Sequence, residues 1–357
     1  MSFESHLQRR WYSKPDWLLA PWLLLLGPLE LLYRSIVAAR RRLYRYGLFS
    51  SWRPLVPVIV VGNISVGGTG KTPVTIALCE LLQRAGYKPG VISRGYRAQP
   101  PHFPYFVRSD DNANNCGDEP LLIARRTRCP VVIAPRRVDA ARHLLEERGL
   151  EHERCDVIIC DDGLQHYALQ RDIEIAVVDA ARRFGNGHCL PCGPLRESVA
   201  RLKSVDAIIL NGTQVEEELL LSHSQMTVSL QLQPSAMVQL SSGQSVPPRT
   251  WCKQNARVHA VAGIGNPERF FATLRALGCD IIEHAFPDHH NFRAEDLAFD
   301  AALPIVMTEK DAMKCGAFAD QRHWCLQVRA QLPDSLATAI LGKLNSIGKA
   351  RIASPFN

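Results

Sequence analysis

"VPVIVVGNISVGGTGKTPVTIALCELLQRAG", residues 56–86, joins a β-branched run, a glycine-rich loop and a helical pattern. Val58–Val61 predicts a buried strand, and apolar residues at helical spacing follow the loop until Gly86 ends the helix. A strand that enters a helix through such a loop directs backbone N–H groups and a helix N-terminus at one point, and this arrangement favours an anion. We therefore predict a polyphosphate site in this segment.

The loop matches the nucleotide-binding P-loop pattern. Its predicted phosphate-binding residues are consecutive: Ser65, Val66, Gly67, Gly68, Thr69, Gly70, Lys71 and Thr72. In this pattern the lysine reaches the β- and γ-phosphates, and the hydroxyl of the next residue binds Mg²⁺. Ser65 replaces the usual first glycine, and the remaining glycines keep enough backbone freedom for the turn. The motif predicts binding of a nucleoside triphosphate with Mg²⁺.

Composition describes an ordinary globular chain of 357 residues, 46% hydrophobic and 22% charged, with a net charge of +7. Residues 1–53 carry nine Arg or Lys and three acidic residues, so the rest of the chain is nearly neutral. A broad nucleic-acid-binding face is therefore not expected. The eleven scattered cysteines predict a reducing compartment, and we interpret Cys189 and Cys192, a lone CxxC pair, as incidental.

The N-terminal region pairs the apolar run "WLLAPWLLLLGPLELLY", residues 17–33, with the basic run "RSIVAARRRLYRYG". Two prolines, a glycine and Glu30 interrupt the apolar run, which argues against a helix that spans a membrane. A helix that lies in the membrane interface, with leucines in the acyl region and arginines on anionic lipid, fits better. A helix packed on the protein core remains the alternative. The basic cluster favours the cytoplasmic side.

Short apolar runs alternate with helical patterns along most of the chain, which predicts an α/β fold with a mostly parallel, doubly wound sheet and a second, smaller α/β domain. The predicted organisation is a membrane-associated helical segment at 1–53, a P-loop domain at 54–225, a strand-like linker at 226–256 and a smaller domain at 257–357.

Polar residues follow several predicted strands. Asp161 and Asp162 come directly after a buried strand, where carboxylates of P-loop proteins hold Mg²⁺, and Gln165 and His166 follow as candidates to orient phosphate, water or substrate. Asp118 starts a predicted helix with Glu119, so it is either an N-cap or a catalytic base.

Further charged groups lie in predicted turns. His289 and His290 follow Asp288; a metal site lacks a third ligand there, and pairing of a histidine with a carboxylate is the more attractive hypothesis. Arg196-Glu197 and Thr308-Glu309-Lys310-Asp311 are predicted to be surface turns.

Eight motifs occur in one order over roughly residues 55–315: "GNISVGGTGKTP", "SRGY", "GDEP", "DDGLQH", "LPCGPLRE", "GIGNPERF", "FPDHH" and "TEKDAMK". Together with the apolar and basic N-terminus they resemble the tetraacyldisaccharide 4'-kinase family, the lipid A disaccharide kinases of Gram-negative bacteria. Ser65 belongs to that family's own loop, "SVGGTGKT".

The resemblance implies an enzyme that transfers the γ-phosphate of ATP, with Mg²⁺, to the 4'-hydroxyl of a tetraacylated glucosamine disaccharide 1-phosphate, giving lipid IVA. It implies a peripheral or monotopic location at the cytoplasmic face of the inner membrane, and an ATP-binding domain joined to a smaller domain by a strand-like hinge. The expected partners are the lipid substrate and the membrane surface, with no nucleic acid and no obligate protein partner.

The resemblance also assigns roles. Lys71 and Thr72 would bind phosphate and Mg²⁺, with Lys71 taking part in catalysis, and Asp161 and Asp162 would organise the metal. Asp118 would be the catalytic base in a dyad with His289, preferred over His290. Glu197 would assist around the phosphates or metal. Two alternatives stay open: a membrane-associated P-loop ATPase that switches protein partners, and a non-catalytic nucleotide sensor.

Overall fold

The structure is a computed structural model that describes residues 10–12, 19–146, 155–212, 226–299 and 302–353. The first two residues of the predicted apolar run, Trp17 and Leu18, lie outside the described residues. So do residues 147–154 and 213–225 of the predicted P-loop domain, and residues 300–301 and 354–357 of the predicted smaller domain.

The described residues contain fourteen strands. They are β1 (Val58–Gly62), β2 (Pro89–Ser93), β3 (Tyr105–Val107), β4 (Val131–Ile133), β5 (Val157–Asp161), β6 (Ile173–Asp179), β7 (Ala207–Asn211), β8 (Met226–Leu230), β9 (Leu232–Gln239), β10 (Ser245–Val246), β11 (Arg257–Ala262), β12 (Asp280–Ala285), β13 (Ile305–Thr308) and β14 (His323–Ala330).

The α-helices of the same residues span Leu19–Arg45, Lys71–Arg84, Ala113–Cys116, Asp118–Thr127, Arg137–Glu146, Pro248–Gln254, Pro267–Ala276, Glu309–Cys315 and Asp334–Ala353. Two short 3₁₀ turns lie at Val199–Ser204 and Ala294–Leu297.

Contacts divide the chain into two compact units. The first unit takes the described residues of Met1–Lys71, Cys155–Gln231 and Leu332–Asn357, and the second takes those of Thr72–Arg154 and Leu232–Gln331. The limits of these units differ from the predicted domain limits. Helix Asp118–Thr127 lies in the predicted P-loop domain and helix Glu309–Cys315 in the predicted smaller domain, but the two helices pack against each other and both belong to the second unit.

The first unit contains five strands in the order β5-β1-β6-β7-β8, all parallel. β1, β5 and β7 are buried along their whole length, which explains their continuous apolar sequences. Val61 of β1 pairs with Asp161 at the end of β5, so the P-loop and the acidic pair leave the sheet at the same edge. Ligands of open parallel sheets bind outside this carboxyl edge.

The second unit holds β3-β4-β2, in which β2 and β4 are parallel, and a six-stranded sheet in the order β10-β9-β14-β13-β11-β12. β14, β13, β11 and β12 are parallel, β9 is antiparallel to β14, and β10 is antiparallel to β9. Ala260 of β11 packs in one buried cluster and its neighbour Val261 in another, so both faces of this sheet are covered.

The predicted α/β class with mostly parallel sheets is confirmed. The apolar runs of residues 157–160, 173–178 and 207–210 form β5, β6 and β7. The segment predicted as a strand-like linker contributes β8, parallel to β7, to the first unit and β9, antiparallel to β14, to the second.

The N-terminal helix Leu19–Arg45 has one anchored side and one exposed side. Glu30 is 5% exposed and accepts hydrogen bonds from the Cys189 N–H, at 2.8 Å, and from His188. Apolar side chains on the helix are open to solvent: Leu24, Leu25, Leu29, Leu31, Leu32 and Ile36. Among the described residues no helix has the length and apolar character needed to cross a bilayer.

Candidate functional site

The main chain of the P-loop is shaped by glycines and held by a neighbouring segment. Gly67 and Gly70 have φ angles of +103° and +90°. A residue with a Cβ atom would be strained at these angles, whereas glycine is not. The Val66 N–H donates to the Pro194 carbonyl at 2.8 Å, and the Arg196 N–H donates to the Ile64 carbonyl at 2.7 Å. The "LPCGPLRE" motif therefore braces the loop.

Two asparagines fix the loop from inside the sheet. Asn63 Nδ2 donates to Thr69 Oγ1 at 3.3 Å, and Asn211 Nδ2, at the end of β7, donates to the Thr69 carbonyl at 2.9 Å. Ser65 and Thr69 are 5% and 4% exposed, so their hydroxyls face the protein. The structure thus gives Ser65 a buried position in the loop.

Lys71 lies beside the acidic pair after β5. Its Nζ is 3.6 Å from Asp162 Oδ1, and Arg196 Nη1 approaches the same carboxylate at 3.0 and 3.1 Å. Asp162 has a φ of +47°, an uncommon value for a non-glycine residue that is frequent at functional turns. Arg196 therefore contacts the acidic pair beside the loop instead of lying in a surface turn, and that prediction was wrong for it.

The oxygen donors near the loop suit Mg²⁺. Asp161 ends β5 and is 1% exposed, and Thr72 stands in the first turn of helix Lys71–Arg84. In the described part of the chain no group of three or more His, Cys, Asp or Glu forms a metal cage. Mg²⁺ that accompanies a nucleotide takes one or two carboxylates and completes its shell with phosphate and water, so these residues fit it.

Glu197 is buried in a polar network, which corrects its prediction as a surface turn. It is 4% exposed, and its carboxylate accepts hydrogen bonds from Gln165 Nε2 at 3.0 Å and from the Tyr167 hydroxyl, with Arg201 close by. Burial and then the adjacent Glu197 charge raise the pKa of Tyr167 to about 12.

Gln165 links this network to the loop. Its Nε2 also donates to the Asn63 carbonyl at 3.0 Å, so the Glu197 network supports the residue that begins the P-loop. His166 lies partly buried in the turn after β5, and its N–H donates to the Gly163 carbonyl.

Cys189 and Cys192 are both buried thiols. Burial and the Glu30 carboxylate raise the pKa of Cys189, and burial with a hydrogen bond to Glu30 raises that of Cys192 to about 11. A thiol with a raised pKa is a poor nucleophile and metal ligand.

In the second unit, Asp118 begins helix Asp118–Thr127 and is 6% exposed. Gly117 holds the N-cap position, so Asp118 is not the N-cap. Asp118 Oδ1 accepts the Glu119 N–H at 2.9 Å, which leaves Oδ2 facing His289 Nδ1 at 3.2 Å and Lys314 Nζ at 3.4 Å.

The two adjacent histidines have different partners. His289 has a φ of +59°, and its main-chain N–H donates to the Gly263 carbonyl. Its ring packs on Tyr96, with ring centroids 4.9 Å apart. His290 Nε2 instead lies 3.0 Å from Asp296 Oδ2. The structure therefore brings His289, and not His290, to Asp118.

Two lysines at this site were missed by the sequence reasoning. Lys310 and Lys314 stand on one face of helix Glu309–Cys315, and the segment predicted as a surface turn is buried, with Asp311 at 0% and Glu309 at 7% exposure. The signal was present in "TEKDAMK": two lysines four residues apart on a helix that starts where a strand ends.

These cations control the charge of Asp118. Burial by itself would raise its pKa, but the hydrogen bond from His289 and the charges of Lys310 and Lys314 outweigh burial and hold the pKa below its usual range. Burial would lower the pKa of Lys310, yet Glu119, Asp118 and Asp288 raise it. An ionised carboxylate between buried cations can accept a hydrogen bond from a hydroxyl and direct its oxygen.

Comparison with known proteins points to one family. Residues 22–345 match the family described as Tetraacyldisaccharide-1-P 4'-kinase. A tetraacyldisaccharide 4'-kinase from Stutzerimonas stutzeri is 49% identical over 330 residues, 92% of this chain and 93% of that protein. One from Aeromonas hydrophila is 48% identical over 350 residues, 98% of each.

A solved structure is also similar. The crystal structure of LpxK from Aquifex aeolicus in complex with ATP has a TM-score of 0.74 and 27% identity, and the match covers 89% of this chain and 98% of that one.

Proposed function

This chain belongs to the tetraacyldisaccharide-1-P 4'-kinase family, and we propose that two groups of polar residues carry out its phosphoryl transfer. One group is the P-loop with Asp161 and Asp162, and the other is Asp118 with His289, Lys310 and Lys314. Its function is the ATP-dependent 4'-phosphorylation of a tetraacyl disaccharide in lipid A biosynthesis. The proposed acceptor is the 4'-hydroxyl of the disaccharide 1-phosphate, and the proposed product is lipid IVA.

The P-loop, the start of the helix that follows it and the acidic pair after β5 form the proposed nucleotide site. The N–H groups of residues 65–72 cradle the phosphates of ATP, and Lys71 neutralises charge on the β- and γ-phosphates. Thr72, Asp161 and Asp162 would hold Mg²⁺, which supplies further neutralisation when bound. Support comes from the Lys71–Asp162 ion pair, which keeps the ammonium group beside the loop.

In the second unit, Asp118 is the proposed base, and its contact with His289 is the observation that carries the proposal. A carboxylate with a lowered pKa is a weak base, but phosphoryl transfer passes through a loose transition state in which the acceptor proton leaves late. Asp118 would therefore orient the hydroxyl first and take its proton as the new P–O bond forms. His289 holds the carboxylate in place.

The remaining predicted residues take supporting roles. Glu197 and Gln165 act through the loop, since Gln165 reaches the Asn63 carbonyl. Glu119 Oε1 accepts a hydrogen bond from Lys310 Nζ at 3.0 Å, and the contact of His290 with Asp296 stabilises the loop that contains both residues. His166 is proposed to orient phosphate, water or substrate.

The proposed place of action is the cytoplasmic face of the inner membrane, with the protein bound peripherally. Removing a lipid from a bilayer costs about 0.8 kcal/mol for each CH₂ group, so the enzyme must come to a substrate with four acyl chains. The exposed leucines of helix Leu19–Arg45, followed by Arg40, Arg41 and Arg42, support this proposal. Apolar side chains would enter the interface while the arginines meet anionic lipid.

The test is transfer of a radiolabelled γ-phosphate from ATP to the lipid disaccharide in detergent, with Mg²⁺. Asp118→Asn keeps the size of the side chain but removes its basicity, so we expect kcat to fall by roughly 10²–10⁴-fold. Affinity for ATP should change by less than about twofold, because the loop is intact. Asp110→Asn, at an exposed aspartate of the same unit, serves as the matched control.

The alternatives give other outcomes. A P-loop ATPase that switches partners needs no base for an acceptor, so Asp118→Asn would leave ATP turnover intact and no lipid would be labelled. A nucleotide sensor would bind ATP and form no labelled product. Either result contradicts the proposal.

A further inference from the structure

Three polar atoms lie within hydrogen-bonding distance of the largely buried Lys310 ammonium group. Its Nζ lies 3.0 Å from Glu119 Oε1, 3.2 Å from His289 Nε2 and 3.3 Å from Asp288 Oδ1. The side chain is 16% exposed. Because a lysine has three N–H donors and no acceptor, this geometry fixes which atoms donate and which accept.

The contact with His289 determines where the imidazole carries its proton. An Nε2 that accepts from an ammonium group does so through its lone pair, which would place the N–H of the ring on Nδ1. Nδ1 is the atom that lies 3.2 Å from Asp118 Oδ2. The other tautomer would set two lone pairs against each other at Asp118 and an N–H against the ammonium of Lys310.

We propose that Lys310 is a positioning residue of the phosphoryl transfer, which fixes His289 as the Nδ1–H tautomer so that this proton holds the Asp118 carboxylate towards the acceptor hydroxyl. The inference rests on the proposed role of Asp118 as the base. Glu119 and Asp288, the acidic residues next to Asp118 and His289 in the sequence, both form ion pairs with the ammonium group and hold it in position.

A purely structural role for Lys310 makes different predictions. Helix Glu309–Cys315 is already tied to helix Asp118–Thr127 by the buried Glu309–Arg126 ion pair and by Arg125, whose Nη1 is 3.5 Å from Met313 Sδ. If Lys310 only joined these helices, removing it would act like removing Arg125. If it sets the tautomer, only the Lys310 variant changes the proton position on His289.

The experiment combines nitrogen NMR of protein labelled at histidine with kinetics, and His289→Gln assigns the signal. In the unaltered protein we expect Nε2 unprotonated and Nδ1 protonated. In Lys310→Met the proton should move at least partly to Nε2, and kcat should fall by roughly 10–100-fold, as when partners that orient functional histidines are removed. KM for ATP should change by less than about twofold.

Two further variants separate the explanations. Lys310→Arg keeps a cationic donor, so it should retain the Nδ1–H tautomer and recover most of kcat. Arg125→Met removes a cation between the same two helices without touching His289, and it should behave as the unaltered protein.

Several results would overturn the inference. They are a protonated Nε2 in the unaltered protein, a Lys310→Met variant that keeps either its tautomer or its kcat, and an Arg125→Met variant that loses as much activity. The first of these is read without any variant at Lys310, so poor folding of Lys310→Met does not rescue the idea. If Asp118→Asn retains transfer, the proposed function fails separately, because the tautomer is measured without substrate.

Discussion

The P-loop of the first unit and the Asp118 cluster of the second, formed by Asp118, His289, Lys310 and Lys314, differ in how far apart in the chain their groups lie. The loop presents consecutive residues, and its shape depends on main-chain hydrogen bonds and on two glycines with positive φ. The cluster joins residues almost two hundred positions apart through side chains alone. A site made from backbone depends on local geometry, whereas a site made from distant side chains depends on the packing of the unit.

Their electrostatics differ as well. Asp162 beside the loop has a side chain that is 29% exposed and meets the cations Lys71 and Arg196. The side chain of Asp118 is 7% exposed and meets Lys314 and His289. Water screens the first carboxylate more than the second, so the cations around Asp118 act more strongly on its charge.

Among changes in the first unit, we expect Lys71→Ala to have the largest effect on phosphate transfer. Loss of the ammonium beside the phosphates should lower transfer by roughly 10²–10³-fold, the range for one preorganised donor, and should also weaken ATP binding. Phosphate transfer and calorimetric binding of ATP measure the two quantities. Lys343→Ala, which removes only an exposed partner of Asp206, is the control. If Lys71→Ala and Asp118→Asn altered ATP affinity equally, the two groups would not have separate tasks.

An intermediate effect concerns the pH dependence of stability in the second unit. The pKa of Asp118 is lowered on folding, so its contribution is present above its unfolded pKa of about 3.9 and is lost as pH falls through the folded value. The pKa of Lys310 is raised, so its contribution is present below about 10.4 and is lost as pH rises through the folded value.

Thermal unfolding between neutral and acidic pH measures the Asp118 part. The unaltered protein should lose several degrees more on acidification than Asp118→Asn, whose side chain does not titrate. Asp110→Asn should keep the full acid dependence. Equal slopes for all three proteins would show that the charge of Asp118 does not contribute to folding stability.

The smallest effect on stability is expected from the exposed leucines of helix Leu19–Arg45. Replacing Leu24, Leu25, Leu31 and Leu32 together by serine should change the free energy of unfolding by less than about 0.5 kcal/mol per residue, because these side chains are open to solvent. Binding to anionic vesicles should fall by about tenfold or more, since the apolar area is lost from the interface. Leu55→Ser, at a leucine that is 84% exposed outside the helix, is the control. Unchanged vesicle binding of the fourfold variant would contradict a membrane role for the helix.

The two groups of residues also differ in what could be predicted. The strand β1, the P-loop and the helix after it follow from neighbouring residues, so residues 56–86 were sufficient for them. Asp118 and His289 were candidates from the sequence, but only the resemblance to a family favoured a base over an N-cap for Asp118 and preferred His289 over His290, because nothing local distinguishes these alternatives. The segment Thr308–Asp311 was predicted wrongly, since its charges are buried by partners far along the chain, such as Gly263 and Arg126.

The sequence alone determined the α/β class, the nucleotide loop and the amphipathic N-terminal helix, because hydrophobic period, glycine positions and charge runs act over a few residues. Only the tertiary structure decided that His289 rather than His290 meets Asp118, that Glu197 is buried, and that Lys310 and Lys314 lie beside this pair. The physical reason is that a side chain's charge and partner depend on burial and on groups distant in the chain, and local sequence patterns specify neither.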